Sequence, residues 1–194
     1  MALRRDDAHM SVEEFFKLRE SDPAHRYEYI DGEIYMMTGG SKRHSRIGSN
    51  MNRILGNLLR DKPCVVHDSD ACFQVTEERY VCPDVTVSCD PRDTEDSEED
   101  TITLQYPCLV VEVLSHSTKH TDRGIKFDLY KDHPSVQEYL VIETRAPGVQ
   151  LYRRESNNRW TVYILRPGDE VELTSIDVRF PVIEIYEKTR FAMQ

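Results

Sequence analysis

The spacing of apolar positions along the chain predicts a series of strands and helices. From Ser41 to Leu59 apolar residues recur every three or four positions, the period of an amphipathic helix. Before it, YEYIDGEIYMM contains two strand-prone runs around Asp31-Gly32, a dipeptide suited to a type I′ hairpin turn. Further upstream, SVEE at Ser11–Glu14 fits a capping box and predicts a short helix that ends near Arg19.

Apolar runs in the rest of the chain predict further strands. Four strand-like segments follow the amphipathic helix, at residues 64–68, 71–75, 84–89 and 108–114. TDRGIKFDLYKDH then predicts a helix and VQEYLVIE a strand, while GVQLYRRE, RWTVYIL and VRFPVIEIYE predict an antiparallel meander. This order predicts an α/β fold, with a mixed central β-sheet flanked by helices and the meander at its C-terminal end.

Length and composition favour one globular domain. The 194 residues suit a single core, which we place at about residues 25–145, with C-terminal strands at 146–190. No apolar run approaches the roughly 20 residues that span a bilayer, and MALRRDDAHM has no apolar signal-peptide region. We therefore expect a cytoplasmic protein without membrane association.

The five cysteines are odd in number and form no C-x-x-C pair. These spacings do not favour a zinc site. We expect buried, reduced thiols.

The charge is unevenly distributed along the chain. The formal net charge of -10 argues against a protein that binds polyanions through a generally basic surface. However, the segment Ser41–Lys62 holds six basic residues and one acid, whereas residues 90–100 hold seven acids and one arginine. Each run is either a solvated face or, for the basic one, a surface that contacts phosphates.

Two carboxylates interrupt strand-like segments. Glu112 lies within the apolar run YPCLVVEVLSHST, and Asp84 lies in VCPDVTVS. Because consecutive strands are usually neighbours, the two carboxylates could meet at one sheet edge, where they would repel each other. Either one is protonated or a cation lies between them, and oxygen ligands of this kind suit Mg²⁺ or Mn²⁺.

The helix after Glu112 supplies a cationic candidate. Counted from Asp122, the positions i, i+3, i+4, i+7, i+8 and i+11 form one helix face, which we predict to point inward. These positions are Asp122, Ile125, Lys126, Leu129, Tyr130 and His133. A lysine directed at the core needs a carboxylate or a phosphate. The alternatives are that Lys126 extends to solvent or pairs with Asp122 one turn earlier.

Five segments in order resemble a known family. YEYIDGEI, SKRHSRIGSNMNRILGNLL, CPDVTV, PCLVVEVLSHST and DRGIKFDLY, between about Tyr27 and Val141, resemble the Uma-type family of predicted restriction endonucleases in the PD-(D/E)XK nuclease superfamily. The resemblance implies a restriction-endonuclease-like core in which Asp84 and Glu112 are catalytic acids. Together with the Val113 carbonyl, these acids would hold Mg²⁺ or Mn²⁺.

The chain departs from the superfamily pattern at one position. Leu114 stands where the superfamily has lysine, so the resemblance implies that the catalytic lysine comes from the next helix, as Lys126, with Lys119 as second candidate. Glu33 and His44 match recurrent family positions and are possible additional site residues, and Ser115 and Ser117 could position the Glu112 loop.

The function implied is metal-dependent hydrolysis of DNA phosphodiester bonds by an endonuclease, with DNA as partner and a homodimer as the expected assembly. The alternative is an inactive nuclease-fold module that binds nucleic acid or a protein, which Leu114 and the net charge both favour. A third possibility is a nuclease that needs a basic protein partner. For Glu112 itself, the simpler alternative is a structural ion pair with Lys126 or an arginine.

Overall fold

The strands in the described part of the chain form two six-stranded sheets and one two-stranded sheet. The computed structural model describes residues 3–4, 9–37, 40–95, 103–114 and 126–192. The first sheet has β1 (Leu3–Arg4), β3 (Glu33–Met37), β2 (Arg26–Ile30), β6 (Arg79–Val81), β5 (Cys72–Thr76) and β8 (Thr103–Leu104), in that order. The second has β12 (Trp160–Leu165), β11 (Val149–Arg154), β10 (Glu138–Ile142), β9 (Leu109–Val113), β7 (Val85–Ser88) and β4 (Val65–Asp68). The small sheet pairs β13 (Glu170–Leu173) with β14 (Val178–Pro181).

The sheets confirm the predicted mixed α/β class. In the second sheet, β9 and β10 run parallel and the other neighbours antiparallel, while in the first β5 and β8 are the parallel pair. The strands form two mixed sheets rather than one, because the N-terminal hairpin pairs with β6 and starts a sheet of its own.

The two N-terminal helices form where the sequence predicted them. Helix α1 (Val12–Ser21) begins after Ser11, which makes both bonds of a capping box with Glu14. Helix α2 (Lys42–Leu58) is capped by the Ser41 side chain. Three short helices complete the described chain: α3 (Pro91–Thr94), α4 (Phe127–Lys131) and α5 (Val182–Ile185). Within the described ranges, none of the helices is long and apolar enough to cross a membrane.

The β2–β3 hairpin also forms as predicted. Asp31 and Gly32 both have positive φ, 50° and 87°, as both central residues of a type I′ turn require. The turn fixes the register in which Glu28 lies opposite Tyr35. This register places one face of the hairpin toward the candidate site.

The predicted C-terminal antiparallel strands form, with a difference in the last segment. Strands β11 and β12 extend the second sheet, but VRFPVIEIYE divides into β14 and helix α5. Val182 and Ile185 are buried while Ile183 is more exposed, which is helical spacing. Pro181 lacks an N–H and directly precedes the first turn, where it favours a helix start over a continued strand.

The second sheet is covered on both faces. Helix α2 packs on one face through Ile47, Met51 and Leu55 against β7 and β9, and the C-terminal elements join the same core. The other face packs against α4 and residues of the first sheet, including Phe73 and Val81. A side chain on this second face of β9 therefore lies between the two sheets.

Four of the five cysteines are joined in disulfides, so the expectation of reduced thiols was wrong. Cys64 pairs with Cys89, and Cys72 pairs with Cys82. Each pair is brought together by antiparallel register, since β4 pairs with β7 and β5 with β6 at the adjacent residues. Cys108 remains a thiol, and burial raises its pKa to about 11.

Alkylation should measure how many of the five cysteines are free thiols. Unfolded without a reductant, the chain should take up one iodoacetamide group, at Cys108, and five groups after reduction, as measured by mass spectrometry. In the folded protein at about pH 8, Cys108 should react slowly because its raised pKa leaves little thiolate. Uptake of five groups without a reductant would show that the disulfides are not formed.

Candidate active site

Glu112 lies at the centre of a buried cluster of polar side chains. Its neighbours Val111 and Val113 belong to the core under α2, so Glu112 faces the opposite side, between the sheets. Its Oε1 atom is 2.9 Å from Lys126 Nζ and accepts a 3.0 Å hydrogen bond from the Tyr130 hydroxyl. These contacts explain how a carboxylate that is 3% exposed is tolerated in an apolar strand.

Lys126 directly precedes α4 and points inward, as its spacing predicted. The residue is 6% exposed, so its amine does not extend to solvent. Besides Glu112, its Nζ contacts Glu28 Oε1 at 3.1 Å. The alternative partner Asp122 lies outside the described residues, as do Ser115, Ser117 and Lys119.

Glu28 is a site residue that the sequence analysis missed. It lies in β2 and is 7% exposed. Its Oε1 accepts the Cys82 N–H at 3.0 Å in addition to contacting Lys126. One contact joins β2 to Lys126, and the other joins β2 to Cys82, two residues before Asp84.

Asp84 lies at the same end of the second sheet as Glu112. The register pairs Val85 with Val111, and Asp84 precedes that pair by one residue. Its Oδ2 accepts a 2.7 Å hydrogen bond from the Val113 N–H, directly after Glu112. The backbone of β9 therefore fixes the positions of both predicted acids.

His44 contacts Asp84 from the first turn of α2. The distance from Nε2 to Asp84 Oδ2 is 3.4 Å, and both side chains are largely buried. A Cβ at Gly40 would lie 2.6 Å from the imidazole, so the absence of a side chain there leaves room for the ring. The site thus includes His44, one of the two additional candidates.

Glu33, the other additional candidate, lies beside the cluster rather than in its centre. It accepts a 2.5 Å hydrogen bond from the Tyr35 hydroxyl. Tyr35 is the cross-strand neighbour of Glu28, so Glu33, Tyr35 and Glu28 share one face of the hairpin. The structure therefore places Glu33 next to Tyr35, the cross-strand neighbour of the site residue Glu28.

Leu114, at the lysine position of the superfamily, is 1% exposed and packs in the core beneath α4. The amine comes instead from Lys126, which approaches Glu112 from the covering helix.

Tyr130 is a neutral hydrogen-bond donor. Burial raises the pKa of its hydroxyl well above the usual value, and the nearby Glu112 charge raises the pKa further. The hydroxyl therefore keeps its proton at physiological pH and donates a hydrogen bond to Glu112 Oε1. The sequence analysis had placed Tyr130 only on the inward helix face.

The basic segment is only partly a free surface. Three of its members bind other parts of the chain: Arg43 donates to the Thr144 carbonyl at 2.8 Å, Arg53 contacts Glu187 at 2.5 Å, and Lys62 donates to the Ile176 carbonyl at 2.9 Å. Lys42, Arg46 and Arg60 lie on exposed positions. Three of the six basic side chains of this segment therefore contact other parts of the chain.

Asp84 and Glu112 supply carboxylate oxygens, the ligand type that hard divalent cations prefer. Among the described residues, no group of three or more His, Cys, Asp or Glu side chains could hold a metal ion. Mg²⁺ is commonly bound through one or two carboxylates with several waters retained. Both described contacts of Asp84 use Oδ2, which leaves Oδ1 available for such an ion.

Comparisons with known proteins identify the family of this chain. A family model described as "Uma2: Putative restriction endonuclease" matches residues 12–181, most of the chain. The chain belongs to the Uma2 family. Of two similar uncharacterized proteins from Synechocystis sp. (strain PCC 6803), one is 39% identical over 183 residues, covering 94% of each chain. The other is 32% identical over 157 residues, covering 80% of this chain and 86% of the relative.

A solved structure shares the fold of this Uma2 protein. It is a protein of Anabaena variabilis described as a "putative nuclease belonging to DUF820", with a TM-score of 0.70 and 22% sequence identity. The match covers 91% of this chain and 97% of the other. At this identity the likeness establishes the fold and leaves the chemistry to the site residues.

Proposed function

We propose that this Uma2 protein is an Mg²⁺- or Mn²⁺-dependent endonuclease that hydrolyses phosphodiester bonds in DNA. The observation that carries the proposal is the buried Glu112–Lys126 pair at 2.9 Å, beside an Asp84 that is bonded to the same strand. A carboxylate pair with a nearby amine matches the needs of metal-assisted phosphoryl chemistry. The restriction endonuclease description of the family supports the same reaction class.

Each residue of the site would have a separate role in the proposed hydrolysis. Asp84 and Glu112, with the Val113 carbonyl, would hold the cation, which when bound polarises the scissile phosphate and lowers the pKa of a bound water. Lys126 would donate to a phosphate oxygen as negative charge develops there. Tyr130 and the Val113 N–H hold the two carboxylates in place through their hydrogen bonds. His44 would orient Asp84 from the opposite side.

Exposed basic residues would supply the DNA contacts. Lys42 and Arg46 lie on the same first turns of α2 as His44, so phosphates bound there would be close to the site. The association would weaken as the salt concentration rises, because each phosphate contact by Lys or Arg releases counterions from the DNA. A homodimer would bring two such surfaces to one duplex and could cut both strands.

An inactive binding module is the second candidate. It is favoured by the satisfied contacts of Lys126, which bonds two carboxylates as a structural cation would. In that case Asp84→Asn should leave binding intact, and no cleavage should appear with any divalent cation.

Nicking of supercoiled plasmid DNA should test the proposal. The wild-type protein should nick the plasmid with Mg²⁺ or Mn²⁺ but not with EDTA, and Asp84→Asn should abolish nicking because it removes a charged ligand. Asp177→Asn is the matched control, since Asp177 is exposed and its positive φ suits asparagine. Cleavage that survives Asp84→Asn would overturn the assignment.

A further inference from the structure

Glu28 is a buried carboxylate to which the steps above give no role. It comes from the first sheet, whereas Asp84 and Glu112 belong to the second. Its side chain is 9% exposed, and its Oε1 lies 3.1 Å from Lys126 Nζ. Burying a second carboxylate beside one amine is unfavourable in itself, since Lys126 already pairs with Glu112 at 2.9 Å.

The three described side chains that meet at the Lys126 amine carry more negative than positive charge. When all are ionised, Glu112 and Glu28 contribute two negative charges and Lys126 one positive charge. Without Glu28, the Glu112–Lys126 pair would be neutral, and a divalent cation held by Asp84 and Glu112 would be attracted more weakly. The negative charge of Glu28 would attract a cation bound in this site.

The contacts of Glu28 also connect the two halves of the site. Its Oε1 accepts the Cys82 N–H at 3.0 Å, and Cys82 lies two residues before Asp84. The same atom draws the Lys126 amine toward the first sheet and so divides that amine between two carboxylates. Lys126 is thereby prevented from pairing with Glu112 alone.

We propose that Glu28 is a positioning residue that gives the site its affinity for a divalent cation, a role that rests on the proposed nuclease function. Glu28 acts through Lys126: by sharing the amine, it leaves Glu112 with negative charge to offer an ion. A purely structural Glu28 would affect stability without changing metal affinity, so the two roles are separable.

The test measures Mn²⁺ binding directly and through activity. Glu28→Gln keeps the size of the side chain and an acceptor for the Cys82 N–H but removes the charge. Isothermal titration calorimetry with Mn²⁺ should show a Kd raised about tenfold, as is typical when a supporting residue of a metal site is lost. The Mn²⁺ concentration for half-maximal plasmid nicking should rise by a similar factor. Glu77→Gln removes one exposed charge from the neighbouring β5–β6 hairpin and should leave both values unchanged.

The outcomes separate this role from the proposed function. If wild type nicks DNA and Glu28→Gln has the Mn²⁺ affinity of wild type, Glu28 has no such role and the nuclease function stands. If wild type binds Mn²⁺ without nicking, and Glu28→Gln weakens binding, the role of Glu28 stands and the nuclease function fails. If wild type does neither, both are overturned.

A second variant covers the case in which Glu28→Gln does not fold. Glu28→Asp keeps the charge on a shorter side chain, so its Mn²⁺ Kd should stay close to the value of Glu77→Gln. A tenfold weaker Kd in this folded, charge-retaining variant would show that the charge does not set the affinity.

Discussion

Replacement of Lys126 by methionine should lower the free energy of unfolding by about 3–5 kcal/mol, the range typical for removing one partner of a buried ion pair. The loss follows from what remains: Glu112 and Glu28, with side chains only 4% and 9% exposed, would lose the Lys126 amine that contacts both of them. Methionine has a similar volume, so lost packing should add little. Urea unfolding followed by the fluorescence of the single tryptophan, Trp160, should measure the change.

Two further variants identify the cause of this loss. Lys131→Met removes an exposed lysine of the same helix, which pairs with Asp128, and should change stability by less than about 1 kcal/mol. Adding Glu112→Gln and Glu28→Gln to Lys126→Met should restore much of the stability, since the uncompensated charges are gone. If Lys126→Met is as stable as Lys131→Met, the ion pairs contribute little.

Glu112→Gln should lower plasmid nicking by about 100-fold or more, the scale on which loss of one preorganised electrostatic group reduces kcat. Glutamine keeps the length of the side chain and can still accept hydrogen bonds from Lys126 and Tyr130, so the fold should be retained. The lost negative charge, rather than lost packing, would then account for the inactivity. Initial nicking rates with saturating Mn²⁺ give the comparison.

The control for this substitution is Glu20→Gln, on the exposed end of α1. It makes the same chemical change outside the site and should nick at the wild-type rate. Circular dichroism of both variants would verify that they fold alike. A Glu112→Gln protein that nicks at the rate of Glu20→Gln would contradict the role of Glu112.

The elements with strong local signals were predictable from the sequence. Helix α2 follows from apolar spacing and the Ser41 cap, and the hairpin follows from Asp31-Gly32, because in both cases a few adjacent residues determine the conformation. The inward direction of Lys126 was predictable for the same reason, since one helical period places it with the core residues.

Glu28 was not predictable because its burial depends on another part of the chain. In YEYI, Tyr27 and Tyr29 alternate with Glu28, a pattern that indicates one buried and one solvated face. The polar face is covered here by Lys126 and its helix, which lie about a hundred residues further along the chain. The cysteine pairs were missed similarly, because strand register is not encoded in their spacing.

Along the chain, the charged residues of the candidate site come in the order Glu28, Asp84, Glu112 and Lys126. The Lys126 amine is therefore the last of these groups to be synthesised. A nascent chain that has emerged only as far as β9 already has every acidic group but lacks the residue that compensates them. Closing the two sheets over these acids should therefore be unfavourable until translation has passed Lys126. We expect assembly of the domain and completion of the proposed catalytic centre to coincide late in synthesis.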